Sequence, residues 1–458
     1  MASAASESTE DRAVRKAYWR LMWFLMLLFC CAYLDRINMS YAALTMNRDL
    51  GLTATMFGLA NSIFYVAYVA AEIPSTMLMQ RFGARVWIAR IMIACGLTSF
   101  ATLFATGPLS LYSFRTLIGL AEAGFVPCIL LYMTFWFPPA YRARATTLFI
   151  MAQPITIMVG ALMSGLILKM DGVLGLGGWR WLFMLEGIPS LVLGIAAYFY
   201  LSNGPAQARW LTAQEKALVA SAVARAETGS GAAIPRGPRL TLWRELLSLP
   251  VALLSLAYFG LVVSNSTNST WVPQIVRGVA PASSVTMISI IAGFPSLVTV
   301  CLMPIWGRHS DRQLERTWHV VLPMLLASCG WLFVATSDSP NVKFVGLVFC
   351  SVGAFSAQAI FWTLPAQFLS LKARPVGIAL VNTIGLLGSI TGPIVIGRLK
   401  DLTGDFSAGL MFVGGVVGAG AFCIILVSRI RPSAGDADQI GQPVRPAPQR
   451  AATADPAT

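Results

Sequence analysis

The sequence predicts an all-α polytopic membrane protein, with twelve transmembrane helices in two pseudo-symmetric six-helix halves. Three observations predict it. Of the 458 residues, 56% are hydrophobic and only 12% are charged, about half the charge of an ordinary soluble domain, so the chain cannot build a water-facing surface. Twelve runs in the sequence are each long enough for a bilayer core about 30 Å thick, which takes about 20 apolar residues of helix. With the termini on one side, 24 of the 33 Lys and Arg residues fall on that side and seven on the other, an asymmetry that orients a membrane protein with its termini in the cytoplasm.

The runs fall near 20–43, 55–80, 86–106, 110–134, 146–168 and 180–202 in the first half, and 250–271, 286–306, 318–336, 343–369, 376–397 and 409–430 in the second. The first is not a signal peptide: it exceeds a typical h-region, follows the acidic stretch Glu7 to Asp11 and lacks a small-residue cleavage site. Residues 1–19 form a cytoplasmic N-terminal segment and 20–202 an N-terminal bundle. The long basic connection 203–249, with Gly, Ser and Pro at its centre, is a cytoplasmic linker to a C-terminal bundle at 250–430. The tail 431–458 is rich in Ala, Pro, Gly and Asp without periodicity, a composition that predicts disorder. Short basic links follow the second and eighth runs, Gln80 to Arg85 and Gly307 to Arg312, as parallel repeats around a central cavity would require.

Composition also excludes functions. The net charge of +13 is scattered in clusters between apolar runs rather than gathered on one face, so no nucleic-acid footprint is present. All eight cysteines sit inside apolar runs, where they serve packing, and the two histidines, His309 and His319, flank one polar link, which leaves no zinc site. There is no phosphate-binding Gly-x4-Gly-Lys-Ser/Thr motif and no hydrolase motif. The sequence therefore points away from an enzyme and from any bound cofactor, toward transport driven by a proton gradient.

A charge at mid-membrane costs about 2.5 to 3.5 kcal/mol on insertion scales, so each one is a functional candidate. Asp35 and Arg36 lie in the first run, Glu72 in the second, Arg115 and Glu122 in the fourth and Glu186 in the sixth. Asp35 and Arg36 are about 100° apart on a helix, so when one faces a cavity the other meets a neighbouring helix. Burial disfavours an ionised carboxylate and a nearby arginine favours it, the balance that proton coupling needs. This selects Asp35 and Glu122 as proton carriers; Glu72 and Glu186, nearer the ends of their runs, are expected to be structural. The planar forks of Arg36 and Arg115 suit a substrate carboxylate. Tyr33, Tyr68, Gln153, Trp362 and Asn382 are candidates to hold the rest of a ligand, and the polar run Ser264 to Thr270 is expected to line water.

From about Trp19 to Arg431 the chain resembles the major facilitator superfamily, and within it the anion:cation symporters of organic acids. The resemblance is carried by Tyr33-Leu-Asp-Arg-Ile-Asn38, Glu72-Ile-Pro-Ser75, Arg81-Phe-Gly-Ala-Arg85, Gly119-Leu-Ala-Glu-Ala-Gly124, Trp136-Phe-Pro138, Trp179-Arg-Trp-Leu-Phe183 and Trp306-Gly-Arg-His-Ser-Asp-Arg312. Met170-Asp-Gly172 and Gly175-Leu-Gly-Gly-Trp179 look most like the 4-hydroxyphenylacetate and phthalate permeases, with tartrate carriers close. The resemblance implies the major facilitator fold and import of a small carboxylate by proton symport and alternating access. Asp35 and Glu122 would carry protons, Arg36 would pair with or gate Asp35, and Arg115 would neighbour Glu122. Tyr33, Tyr68, Gln153, Trp362 and Asn382 would line the substrate site. Arg81, Gly83, Arg85, Gly307, Asp311 and Arg312 would form conformational gating loops. It further implies a monomer in a bacterial inner membrane, with an organic anion, protons and the lipid bilayer as partners and no obligatory protein partner. Leu314 departs from the pattern, which usually has glycine there. A proton-coupled exporter of aromatic compounds and a sugar-acid symporter are the alternatives.

Overall fold

The computed structural model describes residues 9–229, 245–369 and 373–430; the predicted disordered tail and the centre of the linker lie outside them. The first half contains α1 (Thr9–Asp49), α2 (Ala54–Phe82), α3 (Ala84–Ala101), α4 (Pro108–Glu122), α5 (Phe125–Trp136), α6 (Pro139–Ile167) and α7 (Gly178–Tyr200). A connecting helix α8 (Ala213–Gly229) precedes the second half: α9 (Leu249–Val279), α10 (Val285–Gln313), α11 (Thr317–Thr336), α12 (Pro340–Phe361), α13 (Pro365–Phe368), α14 (Arg374–Thr403) and α15 (Ser407–Arg429). Twelve helical spans among the described residues are long and apolar enough to cross a membrane, with α4 and α5 together making the fourth. Large apolar side chains such as Leu109, Ile73 and Phe199 point outward, more than two thirds exposed; in water that surface would be costly, in lipid it is the favoured one.

Small residues set the packing within each half. A Cβ on Gly96 of α3 would stand 2.8 Å from the Gly187 carbonyl oxygen of α7, and one on Gly346 of α12 would stand 2.7 Å from the Gly330 carbonyl of α11. The two pairs show the same device in both halves: backbones come close where no side chain intervenes. The connecting helix α8 is started by a capping box, with Thr212 Oγ1 accepting from Glu215 N at 3.2 Å and Glu215 Oε2 from Thr212 N at 2.8 Å. Lys16 of α1 donates to Glu215 at 2.8 Å and, with those bonds, holds its carboxyl below the usual glutamate range. Arg225 pairs with Glu10, so α8 is strapped along the start of α1.

The halves meet at the end of the bundle opposite the chain termini. Ser62 Oγ of α2 donates to the Ile390 carbonyl of α14 at 2.6 Å, and Thr286 Oγ1 of α10 donates to the Gly165 carbonyl of α6 at 2.8 Å. The N-terminus of α2 is capped across the boundary: Asp401 accepts from Ala54 N at 3.0 Å and Thr55 N at 2.7 Å. Phe57 of α2 packs edge-on against Trp271 of α9 at 5.1 Å. These contacts close the cavity on that face.

The links read as loops from the sequence are largely helical. Helix α2 runs through Arg81 to Phe82, and Gly83, at φ 87°, makes the turn. Gly307, Asp311 and Arg312 all lie within α10, since the hydrogen-bonded spiral continues past the apolar run until Leu314. That residue adopts φ 51°, the left-handed region in which an L side chain is strained by about 1 to 2 kcal/mol. The resemblance implies glycine at this place, and the torsion angle supplies a physical reason for it. Leu314→Gly is expected to raise the thermal unfolding midpoint in detergent, because relief of strain exceeds the roughly 0.5 to 1 kcal/mol of added backbone entropy; a lowered midpoint would mean the strain is absent.

Candidate functional site

The fourth span is broken beside its carboxylate. Helix α4 ends at Glu122, Ala123 leaves the helical region at ψ 130°, and Gly124 takes φ 80° before α5 begins. A Cβ on Gly124 would stand 2.7 Å from Ser75 Oγ, so both conformation and space demand glycine. The corresponding span of the second half, α12, runs unbroken from Pro340 to Phe361, and the short α13 follows it after Trp362 to Leu364, nearer the terminal face. An interrupted span is where membrane transporters expose backbone to a cavity.

Arg36 of α1 pairs with Glu122, not with its neighbour Asp35. Its Nε and Nη2 both lie 2.7 Å from Glu122 Oε1, while Glu122 Oε2 is buried with no partner among the described residues. The guanidinium also sits at the C-terminal end of α4, where unpaired carbonyls favour a cation. Aromatic rings surround it: Tyr68 at 4.9 Å, Phe64 at 5.4 Å, Tyr33 at 5.8 Å and Tyr65 at 5.9 Å from the guanidinium carbon. Gln153 of α6, just before Pro154, donates to Tyr33 Oη at 2.8 Å and fixes that ring. Thus Tyr33, Arg36, Tyr68, Glu122 and Gln153 form one cluster, held by α1, α2, α4 and α6.

Asp35 faces the other way, as the 100° offset requires. It is 2% exposed and accepts a 2.6 Å hydrogen bond from Ser99 of α3, while its Oδ2 has no partner among the described residues. Arg115 is 1% exposed, with Nε and Nη1 unpartnered, and rests 4.6 Å over the Phe64 ring. Phe64 therefore lies against two guanidiniums, a role its sequence neighbourhood does not reveal. Glu186 of α7, expected to reach an interface, is 1% exposed; Ser164 donates to its Oε1 at 3.3 Å and Oε2 is unpartnered. It is a third buried carboxylate of the first half.

The second half contributes a different surface. Trp362 packs against Tyr258 at 4.6 Å and Phe361 at 5.5 Å, and Asn382 is half-buried on α14, so neither joins the Arg36 cluster. The polar run on α9 is paired in part within the protein, while Asn265 Oδ1, Ser266 Oγ and Asn268 Nδ2 have no partner among the described residues. Ser264 accepts from Trp331 Nε1 at 2.8 Å, Thr267 donates to the Val263 carbonyl at 2.7 Å and Asn265 donates to Gln358 at 2.8 Å. Back-bonding to the preceding turn satisfies hydroxyls that would otherwise need water. Asn268 and Ser269 alone of this run face the narrow cavity between the halves, with Ser40 and Tyr41 opposite.

At the terminal face, Arg85 N donates to Asn203 Oδ1 at 2.9 Å and its side chain bonds the Tyr198 carbonyl, pinning the α2–α3 turn to the end of α7; Arg81 is exposed. In the second half Asp311 pairs with Arg316 at 2.7 Å, and His309, His319 and Glu315 form a chain with both links at 2.7 Å. Partial burial pushes the Glu315 carboxyl up, but bonds from Trp318 N and His319 outweigh it and hold the group below its usual range. No cluster of metal-ligating side chains occurs among the described residues.

The sequence pattern of the Major Facilitator Superfamily matches residues 25–393. A protein of Agrobacterium vitis with the provisional name tartrate transporter is 40% identical over 425 residues, 93% of each chain. A quinolone resistance transporter of Acinetobacter baumannii is 32% identical over 404 residues, covering 88% of this chain and 92% of that one. Among solved structures, the inward-open xylose transporter XylE of E. coli superposes with a TM-score of 0.72 at 13% identity, over 91% of this chain and 97% of that one, a likeness of fold.

Proposed function

The chain belongs to the Major Facilitator Superfamily, whose members are membrane transporters and not enzymes, and from this and the paired site we propose that it imports a small organic carboxylate by proton symport through alternating access. The observation that carries the reading is the Arg36–Glu122 pair. Arg36 is a fixed cation with a planar fork, and Glu122 occupies it with one oxygen while the other stays free in a buried site. A proton placed on Glu122 Oε2 neutralises the carboxylate and weakens its hold on Arg36. The fork is then available to a substrate carboxylate, and the bound pair of proton and anion neutralises what each would bring alone. Asp35, also with one unpartnered oxygen, supplies a second place for a proton, and Arg115 the balancing cation.

The ring of Tyr33, Phe64, Tyr65 and Tyr68 favours an aromatic acid such as 4-hydroxyphenylacetate or phthalate; the name of the Agrobacterium relative favours tartrate. The bias of basic residues favours termini in the cytoplasm and, with it, a bacterial inner membrane. Closure of the halves at the opposite face then corresponds to a cavity accessible from the cytoplasm. A second reading, proton-coupled export of aromatic compounds, draws on the name of the Acinetobacter relative.

Uptake into proteoliposomes of 4-hydroxyphenylacetate, phthalate, tartrate and an aldonate, with and without an inward proton gradient, tests both. Accumulation of one acid, dependent on the gradient, is expected. If none accumulates and an aromatic compound instead drives proton counterflow, the chain is an exporter and the roles given to both arginines fall.

A further inference from the structure

A second polar cleft lies at the terminal face of the first half, away from the boundary between the halves. Its volume is about 640 Å³, and its charged lining residues are Arg20 of α1, Arg85 of α3 and Arg209 of the linker, with no acidic residue among those that line it. Phe24, Tyr200 and Trp210 supply its apolar walls. Every lining residue lies between 20 and 210, so the cleft belongs to one half and its linker and is not on a route between the halves.

Two of the three cations here, Arg20 and Arg85, are held by rings instead of carboxylates. The Arg20 guanidinium lies 4.8 Å from the Tyr200 ring and 4.9 Å from the Trp210 ring, and Trp210 is backed by stacking on Trp136 at 5.6 Å. Arg85 lies 4.4 Å over Tyr198. The stacked Arg20 guanidinium keeps its edge donors free for an anion, while Arg85 gives its Nε donor to the Tyr198 carbonyl and keeps its terminal nitrogens. Beside the cleft, Trp23 is 66% and Phe199 75% exposed, the kind of aromatic belt that marks headgroup depth. Three arginines at that depth with no acidic partner among the described residues, next to an apolar surface, match a phosphate carried on acyl chains.

We propose that this cleft binds the phosphate group of an anionic phospholipid, with its acyl chains along Trp23 and Phe199. A free phosphate ester shares the chemistry but not the need for that apolar edge. The lipid would tie α1, α3 and α7 to the linker entry and brace the first half where the linker leaves it.

The test is native mass spectrometry of the full chain released from detergent with phosphatidylglycerol or phosphatidylcholine, alongside thermal unfolding with each lipid. Selective retention of phosphatidylglycerol and a raised unfolding midpoint are expected. Retention should fall about fivefold in Arg209→Gln, which removes an exposed side chain, and further in Arg20→Gln. Equal retention of the two lipids, or retention unchanged in both variants, would overturn the proposal. If glycerol 3-phosphate or inorganic phosphate at millimolar concentration raises the midpoint as much as the lipid does, the occupant is a soluble phosphate and the lipid assignment falls.

Discussion

Glu122→Gln is expected to abolish proton-driven accumulation while leaving exchange of preloaded substrate intact. The glutamine keeps an oxygen to accept from Arg36, replacing the 2.7 Å bonds of the native pair, but it holds no exchangeable charge. The variant is then fixed in a state resembling protonated Glu122, with Arg36 free to engage an anion at any pH. For one coupled proton, a gradient of one pH unit sustains about a tenfold concentration ratio, or about 1.4 kcal/mol; the variant should relax to a ratio near one. Counterflow of labelled substrate should continue, because it needs only that the loaded carrier reorient. Accumulation at the native ratio would remove Glu122 from coupling and leave Asp35 or Glu186 to carry it.

Arg36→Lys should lose at least tenfold in substrate affinity with little change in the unfolding midpoint. A lysine keeps the charge but not the fork, and hydrogen bonds to a charged group contribute about 1.5 to 3 kcal/mol each. It also loses the flat face that lies among Tyr68, Phe64, Tyr33 and Tyr65. Equilibrium binding in detergent decides the matter: affinity within twofold of native would show that the substrate carboxylate does not sit in the Arg36 fork.

Helix number was legible because lipid allows so little else: a run of about 20 apolar residues has no other low-energy fate. Arg36 and Glu122 stood out for the same reason, as charges where charge is costly. Their partnership did not, since 86 residues separate them and only the crossing of α1 with α4 brings them together. The break after Glu122 was hidden because glycines at 119 and 124 read equally well as helix contacts; the chain uses Gly119 that way and Gly124 as a hinge in the backbone. Phe64 looked like any packing aromatic. Glu186 was judged by its distance from the end of a run, whereas its burial follows from Ser164 and the small residues of α3 that let α7 approach. Leu314 was visible as an irregularity, and its cause became clear only with the torsion angle.

The Asp401 cap on α2 has a thermodynamic consequence for the transport cycle. With the cavity closed at this face, one carboxylate of the second half satisfies two backbone donors of the first. Opening that face strips both bonds from the helix end and leaves Thr53 Oγ1, which holds Met56 N at 3.2 Å, as the remaining side-chain cap. The cap therefore adds a constant bias to the equilibrium between the two access states, on the order of 1 kcal/mol for a charge at a helix terminus, and the bias is the same whether the carrier is loaded or empty. Under the proposed symport such a term cancels from the accumulation ratio, which the gradient fixes, but not from the rate. On that reading it sets how long the empty carrier waits before it turns back outward, so turnover would be written partly in a residue far from the Arg36 pair.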